Sequence, residues 1–441
     1  MSEHTMKDRS KDAANNKKGV PINAMDNTKT QIEIIPEKTK FAAETDQTID
    51  LLVRLMPPAL DSNGPERPRL NIGIALDRSG SMDGSKMKQA REAAKYCVDE
   101  LLPTDRFSAV IFDGQVDVLF TNQPATQKEM LKRGIDRILA RGSTALHQGW
   151  VEAGMQVSER LDPKAINRVL LITDGQANVG ETRTDRIVAQ ARALAEKGIS
   201  TSTIGIGRGF NEDLLLPMAE AGQGNGWFVE APEDMVRIFE TELNGLITQI
   251  GHGVTLAIEP AAGVRVLDVL NDFEKDAAGR YVLPNLRAAS PLDIVVRLHV
   301  LAGDAGTART AAKFVLSYTD QRTQNDVTIT ASSEIAFDTA AVVAALPADK
   351  RVVAAVPLLL NARGGKEAME HMDQGRYEDA HLALFSLASA ADFAFSMAPS
   401  PELEKEIEDT RNLLEMLGDR SNDVLTRKRM NYERENRRKG R

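Results

Sequence analysis

Two stretches of this chain are apolar on both faces and end on an aspartate: residues 70–77, closing on Asp77, and residues 168–174, closing on Asp174. A strand that hides both faces belongs in the interior of a parallel sheet covered by helices on either side. The intervening and following segments supply those helices. Met87, Ala90, Ala94, Cys97 and Leu101 fall on one helical face, and Leu146, Trp150, Ala153, Val157 and Leu161 on another. Further strands are expected at 107–112, 116–120, 202–206 and 227–229. Helices are expected at 127–139, 183–197 (stopping at Gly198) and 238–250. Alternating strands and helices of this kind predict an α/β fold, a doubly wound and mostly parallel sheet.

The flanks follow another rule. Ile49, Leu51, Val53 and Leu55 alternate with Asp50 and Arg54, a half-buried strand pattern that Leu52 interrupts. After residue 250 strands recur with no helices between them, at 254–258, 264–269, 293–300, 312–318 and 327–335. Ile294, Val296, Leu298 and Val300 share one face, and Arg297 and His299 the other, which leaves His299 solvated. Neither flank makes a large sandwich alone. The expectation is a single antiparallel β-sandwich built from both, with the α/β domain inserted between them. Residues 338–396 are alanine-rich and read as a helical hairpin. Gly375–Ala380 resembles one turn of a tetratricopeptide hairpin, but no second copy follows. Ser400, Pro401 and Glu402 start one more helix. The predicted organisation is a disordered segment at 1–26, sandwich strands at 27–66, the α/β domain at 67–250, the rest of the sandwich at 251–337, a helical domain at 338–420 and a basic tail at 421–441. Arg427, Lys428, Arg429, Arg434, Arg437 and Arg438 make that tail basic, and a solvated tail or one touching an acidic partner is expected.

Composition narrows the class. A chain of 441 residues exceeds one core, and 42% hydrophobic with 27% charged residues is ordinary for a globular protein. The net charge of −9 argues against nucleic acid as the main ligand, a weak contact by the basic tail excepted. No apolar run approaches the roughly 20 residues of a bilayer span, so no membrane span is expected. The first twenty residues lack an apolar core of a secretory signal. Cys97, the single cysteine, allows no internal disulfide or thiolate zinc site, and its helical face makes it a core residue. A cytoplasmic location fits these features.

The chemistry gathers at one sheet edge. Asp77, Ser79 and Ser81 follow the first parallel strand, Asp174 ends another, and Gly142, Ser143 and Thr144 precede a helix. The carboxyl ends of parallel strands share an edge, where such folds hold ligands. Two carboxylates and three hydroxyls are hard oxygen donors, suited to Mg²⁺, Mn²⁺ or Ca²⁺ and not to zinc or copper. With only two carboxylates, coordination is left for water or a partner's carboxylate to complete.

Here the sequence resembles the von Willebrand factor A family, whose metal-ion-dependent adhesion site reads Asp-x-Ser-x-Ser, then Thr, then Asp. Asp77, Ser79, Ser81, Thr144 and Asp174 match all five positions. The resemblance implies that the three hydroxyl residues ligate Mg²⁺ directly and the aspartates do so directly or through water. It implies a protein partner supplying an Asp or Glu to the metal, and an adhesion or scaffold role with no catalysis. In outline the whole chain is similar to larger bacterial and plant proteins of the family and to inter-α-trypsin inhibitor heavy chains. It lacks the cysteine-rich segment of the plant proteins and shows no signal like that of the secreted heavy chains. Arg78 sits inside the motif, with Arg141 and His147 beside Thr144. They form either a cationic rim for an acidic partner, or, for Arg78, a pair with a carboxylate such as Asp113. Two alternatives are a metal-independent scaffold acting through the sandwich and helical domain, and a metal-dependent phosphohydrolase. The latter lacks an acid–base carboxylate, since Ser79 stands where it would be. No P-loop is present, and the six histidines show no ligand spacing.

Overall fold

The computed structural model describes residues 29–60, 67–418 and 423–439. The expected disordered segment at 1–26 lies outside the described residues. The chain begins with β1 (Gln31–Pro36), β2 (Phe41–Ala42) and β3 (Gln47–Met56). It then enters the α/β domain, whose elements are β4 (Leu70–Asp77), α1 (Ser85–Glu100), β5 (Arg106–Phe112), β6 (Val116–Pro124), α2 (Lys128–Asp136), α3 (Leu146–Ser158), β7 (Ile166–Thr173), α4 (Thr184–Glu196), β8 (Ile199–Ile206), α5 (Glu212–Ala221), β9 (Gly226–Val229) and α6 (Met235–Ile247). Its sheet runs β6-β5-β4-β7-β8-β9, parallel except for β6.

Every residue of β4 and β7 is buried, as two-sided apolar strands require. One face packs under α1, α2 and α6 through Met87, Leu131 and Phe239, the other under α3, α4 and α5 through Trp150, Ile187 and Leu215. Trp150 is a core residue whose Nε1 donates to Thr201 Oγ1 at 3.1 Å. Cys97 is fully buried in the first of these layers, and desolvation pushes its thiol up to about 12. Ellman's reagent is therefore expected to find no thiol in the native chain and one after urea unfolding; rapid native labelling would contradict this packing.

The sandwich follows with β10 (Gln249–Pro260), β11 (Val264–Val269), β12 (Tyr281–Val282), β13 (Leu286–Arg287), β14 (Leu292–Val300), β15 (Ala308–Asp320) and β16 (Asp326–Asp338). One sheet is β1-β3-β14-β11 and the other β12-β10-β15-β16-β2, so strands from both flanks share one core around Leu51, Val53, Ile294, Phe314 and Phe337. The α/β domain is thus an insertion. α6 ends at Ile247, short of the expected residue 250, because Gln249 and Ile250 already belong to β10. Leu52, which breaks the alternation of β3, is buried against Val352 and Leu359 on the outer face of its sheet. Elsewhere that face carries two cross-strand Arg–Asp pairs, Arg54 with Asp293 and Arg297 with Asp50, each two hydrogen bonds of 2.7–2.8 Å.

The C-terminal region is larger than a hairpin. It comprises α7 (Ala340–Ala345), α8 (Lys350–Asp373), α9 (Tyr377–Met397), α10 (Pro401–Gly418) and α11 (Asp423–Arg438). By length and composition α9 could cross a membrane, which amends the expectation that no run comes close. It buries Ala380, Leu384, Ala388, Ala391 and Ala394 and leaves Leu382, Phe385, Phe393 and Met397 exposed. The basic end also departs from expectation: instead of a solvated tail, α11 docks on the α/β domain. Tyr432 lies between Phe210 and Phe228, with ring centroids 6.1 and 5.7 Å away. Lys428 is buried, bonded to Glu212 and to Phe210 O at 2.7 Å. Arg427 pairs with Glu212, Arg429 with Glu230, and Arg437 with Glu406. The acidic partner of these cations is the chain itself, which leaves little of the run's charge for nucleic acid.

Candidate metal centre

The five predicted residues converge at the carboxyl edge of the sheet. Asp77 is the last residue of β4, and a turn of 3₁₀ helix at Gly80–Met82 carries Ser81 back over it. Backbone hydrogen bonds zip this loop to the one bearing Thr144: Gly80 N donates to Gly142 O at 3.1 Å, and Arg141 N to Arg78 O at 2.6 Å. Gly142 turns with φ +74°, a conformation a side chain would strain, and the turn places Thr144 beside the strand ends. Asn178 N donates to Thr144 O at 3.2 Å, which ties in the loop after β7.

Asp77 is fully buried, while Ser79, Thr144 and Asp174 are 2–4% exposed. Ser81 is exposed, as are Gly80, Gly142 and Ser143, so the cluster opens to solvent on that side. Ser79 Oγ and Ser81 Oγ are 3.1 Å apart, and Ser81 Oγ donates to Asp174 Oδ1 at 2.8 Å. Asp77 Oδ1 accepts from Ser79 N at 2.8 Å and Oδ2 from Thr173 Oγ1 at 2.5 Å. A Cβ on Gly175 would lie 3.4 Å from Thr144 Oγ1 and 3.7 Å from Asp77 Oδ2. Glycine there keeps open the space these oxygens share.

Desolvation raises the Asp77 carboxyl to about 6, against the hydrogen bonds from Thr173 and Ser79, and the charge of Asp174 adds to the rise. A cation already serves the other carboxylate: Lys86 Nζ is 2.5 Å from Asp174 Oδ2 and 3.2 Å from Ser81 O. Lys86 and Thr173 are the functional neighbours that motif reading missed. Thr173 was legible as the hydroxyl beside Asp174, and Lys86 as the cation opening α1 just after the serine loop.

The rim residues divide. Arg78 is buried, in ion pairs with Asp113 at 3.0 Å and with Asp117, so it braces the β4, β5 and β6 ends instead of facing a partner. Arg141 is exposed and donates to Asp113 at 2.7 Å. Burial pushes Asp113 up, but the bonds from Arg141 and Gln115 N and the charge of Arg78 hold it below the usual carboxylate range. His147 contacts Gln190 at 2.6 Å, away from the cluster.

The donor set fits a hard divalent cation. An octahedron with metal–oxygen distances of about 2.1 Å has edges of about 3 Å, and the observed spacings of 3.1 and 2.8 Å match that edge. Among the described residues no group of three or more His, Cys, Asp or Glu side chains could share a metal.

Residues 71–240 match the von Willebrand factor type A domain. An uncharacterized protein of Synechocystis sp. is 28% identical over 187 residues, 42% of this chain and 44% of its own. The human inter-alpha-trypsin inhibitor heavy chain H2 is 30% identical over 164 residues, 35% of this chain and 17% of its own. The chain thus spans less than half the length of either relative. A solved von Willebrand factor type A structure from Catenulispora acidiphila superposes with a TM-score of 0.68 at 19% identity, covering 88% of this chain and 90% of that one. The ArnB paralog VWA2 from Sulfolobus acidocaldarius gives 0.57 at 18% identity, covering 91% and 98%. At these identities the likeness is one of fold, and it extends over the sandwich and helices as well as the inserted domain.

Proposed function

Because residues 71–240 form a von Willebrand factor type A domain, we propose that this chain is a non-catalytic binding protein that captures an acidic segment of a partner through a divalent cation. Domains of this type commonly mediate metal-dependent protein interactions. Ser79, Ser81 and Thr144 would ligate the cation directly, with Asp77 and Asp174 ligating directly or through water. The cation would act as a Lewis acid bridging to a carboxylate of the partner. The observation that carries the reading is the convergence of the five residues at one sheet edge that opens to solvent at Ser81, with the oxygens of Ser79, Ser81 and Asp174 at octahedral-edge spacing. Mg²⁺ is the cation that spacing suits best, with Mn²⁺ close in size.

The chain's own residues prepare the site. Thr173 and Ser79 N orient Asp77, Lys86 offsets the charge of Asp174, and Arg78 holds the loop that carries the serines. The sandwich meets the domain around Thr248 and Ala288, at the far end from Asp77 in the direction of the strands, which favours an unobstructed approach. A buried, unoxidised thiol is compatible with a cytoplasmic setting.

A pull-down with the full chain in Mg²⁺ or chelator, using wild type and Thr144→Ala, tests this reading. Expected is a partner retained by wild type in Mg²⁺ and lost with chelator or with the variant. Retention of the same partner under all conditions would shift recognition to the sandwich and helices.

A further inference from the structure

A second polar site lies at the junction of the inserted domain, the sandwich and the end of α11. There a cavity of about 280 Å³ is lined by Arg168, Arg287, Arg438 and Lys439 and by residues 223–225. It stands at the start of β7, the end of the sheet opposite Asp77.

Two of its arginines are nearly dehydrated, Arg168 at 3% exposed and Arg438 at 6%. The Nε of each is buried without a hydrogen-bond partner. Arg168 Nη1 donates to Ser202 Oγ at 3.0 Å and stands 3.9 Å from Glu242. Glu242 is already committed, accepting from Ser202 at 2.5 Å, Asn225 at 2.5 Å and Trp227 at 2.8 Å. Arg438 is engaged by Glu220 and Glu435. Arg287 is the least compensated: its guanidinium bonds to Ser290 Oγ at 3.3 Å, and burial lowers its pKa. Of the acidic groups on the wall, Asp276 pairs with Arg280 and Glu220 with Arg438, while Glu196 and Glu274 are exposed.

Buried guanidinium N–H groups without acceptors are costly. A planar fork of such donors suits the oxygens of a phosphate or carboxylate. Lining backbone also approaches closely: a Cβ on Gly224 would lie 2.5 Å from Arg168 Nη1, so only glycine lets the backbone pack this near the guanidinium. We propose that this three-way cavity binds a small phosphate-bearing anion, held by Arg168, Arg287 and Arg438, and thereby ties the orientation of the inserted domain to a soluble ligand. The inference stands apart from the metal site.

The test is calorimetry and thermal unfolding of the full chain with inorganic phosphate, and separately with glycerol 3-phosphate, at ionic strength held constant by chloride. Wild type is expected to bind and to unfold at a higher temperature with phosphate. Arg287→Gln should weaken binding about tenfold or more, the loss of one charge-assisted contact. Gln223→Glu, which adds a negative charge to the cavity wall, should do the same if Arg287→Gln does not fold. Arg265→Gln on β11 should bind as wild type does. A stronger response to the ester would identify a phosphorylated metabolite as the ligand, and equal responses the phosphate group alone. No phosphate-specific response in wild type, or equal binding by Arg287→Gln, overturns the proposal.

Discussion

Asp77→Asn is expected to stabilise the chain by about 2 kcal/mol at pH 7.5 in chelator, while abolishing its response to divalent cations. The Asp77 carboxyl is fully buried, and desolvation lifts it from 3.8 to about 6. A group whose folded pKa is raised gives stability that is complete below the unfolded value and lost as pH rises through the folded one. For Asp77 that window runs from about 4 to about 6, and the two-unit shift corresponds to about 3 kcal/mol. Denaturant melts of the wild type in chelator should therefore weaken across that window, and those of Asp77→Asn should weaken less. Asparagine removes the buried charge but cannot supply both acceptors that serve Ser79 N and Thr173, so part of the gain is given back. An unchanged pH profile in the variant would mean that Asp77 is not the strained carboxylate of the cluster.

The other large effect lies on α11. Tyr432→Ala should cost about 3–5 kcal/mol, because it empties a fully enclosed aromatic position between Phe210 and Phe228. Tyr432→Phe should be neutral or stabilising, since the hydroxyl is buried without a partner. The measurement is urea unfolding together with hydrogen exchange across residues 423–438. Loss of protection there in the alanine variant alone is the predicted outcome; equal protection in both would mean that the helix is held chiefly by its ion pairs. The packing around α11 reaches toward the candidate metal site. Phe210 sits in the loop after β8, and a Cβ on neighbouring Gly209 would lie 3.0 Å from Asp174 O.

Much of this was legible in the chain. Two-sided apolar strands determine the parallel sheet, and the aspartates that end them determine its functional edge, because a buried strand can place a carboxylate only where it emerges. The insertion was legible because neither flank could close a sandwich alone. Leu52 marked the limit of period-two reasoning: it breaks the alternation because α8, some 300 residues later, covers the outer face of its sheet. Arg78 could be read two ways, and only the positions of Asp113 and Asp117 choose between them. The basic run at the end was misread for a related reason. Local charge describes a solvated segment equally well, and the carboxylates that neutralise it, Glu212, Glu220 and Glu230, lie about 200 residues away in sequence. Lys86 carried only a positional signal, a cation opening α1 just after the serine loop, and no motif set it apart from the chain's other lysines.

The central claim is that Asp77, Ser79, Ser81, Thr144 and Asp174 hold a divalent cation. Isothermal calorimetry with Mg²⁺ and Mn²⁺ on wild type and Asp174→Ala tests it most directly. Expected are one saturable site per chain in the wild type and a loss of more than a hundredfold in affinity for the variant, which removes a proposed carboxylate ligand and leaves the Lys86 ammonium in its place. Equal binding by the two proteins, or none by the wild type, would contradict it.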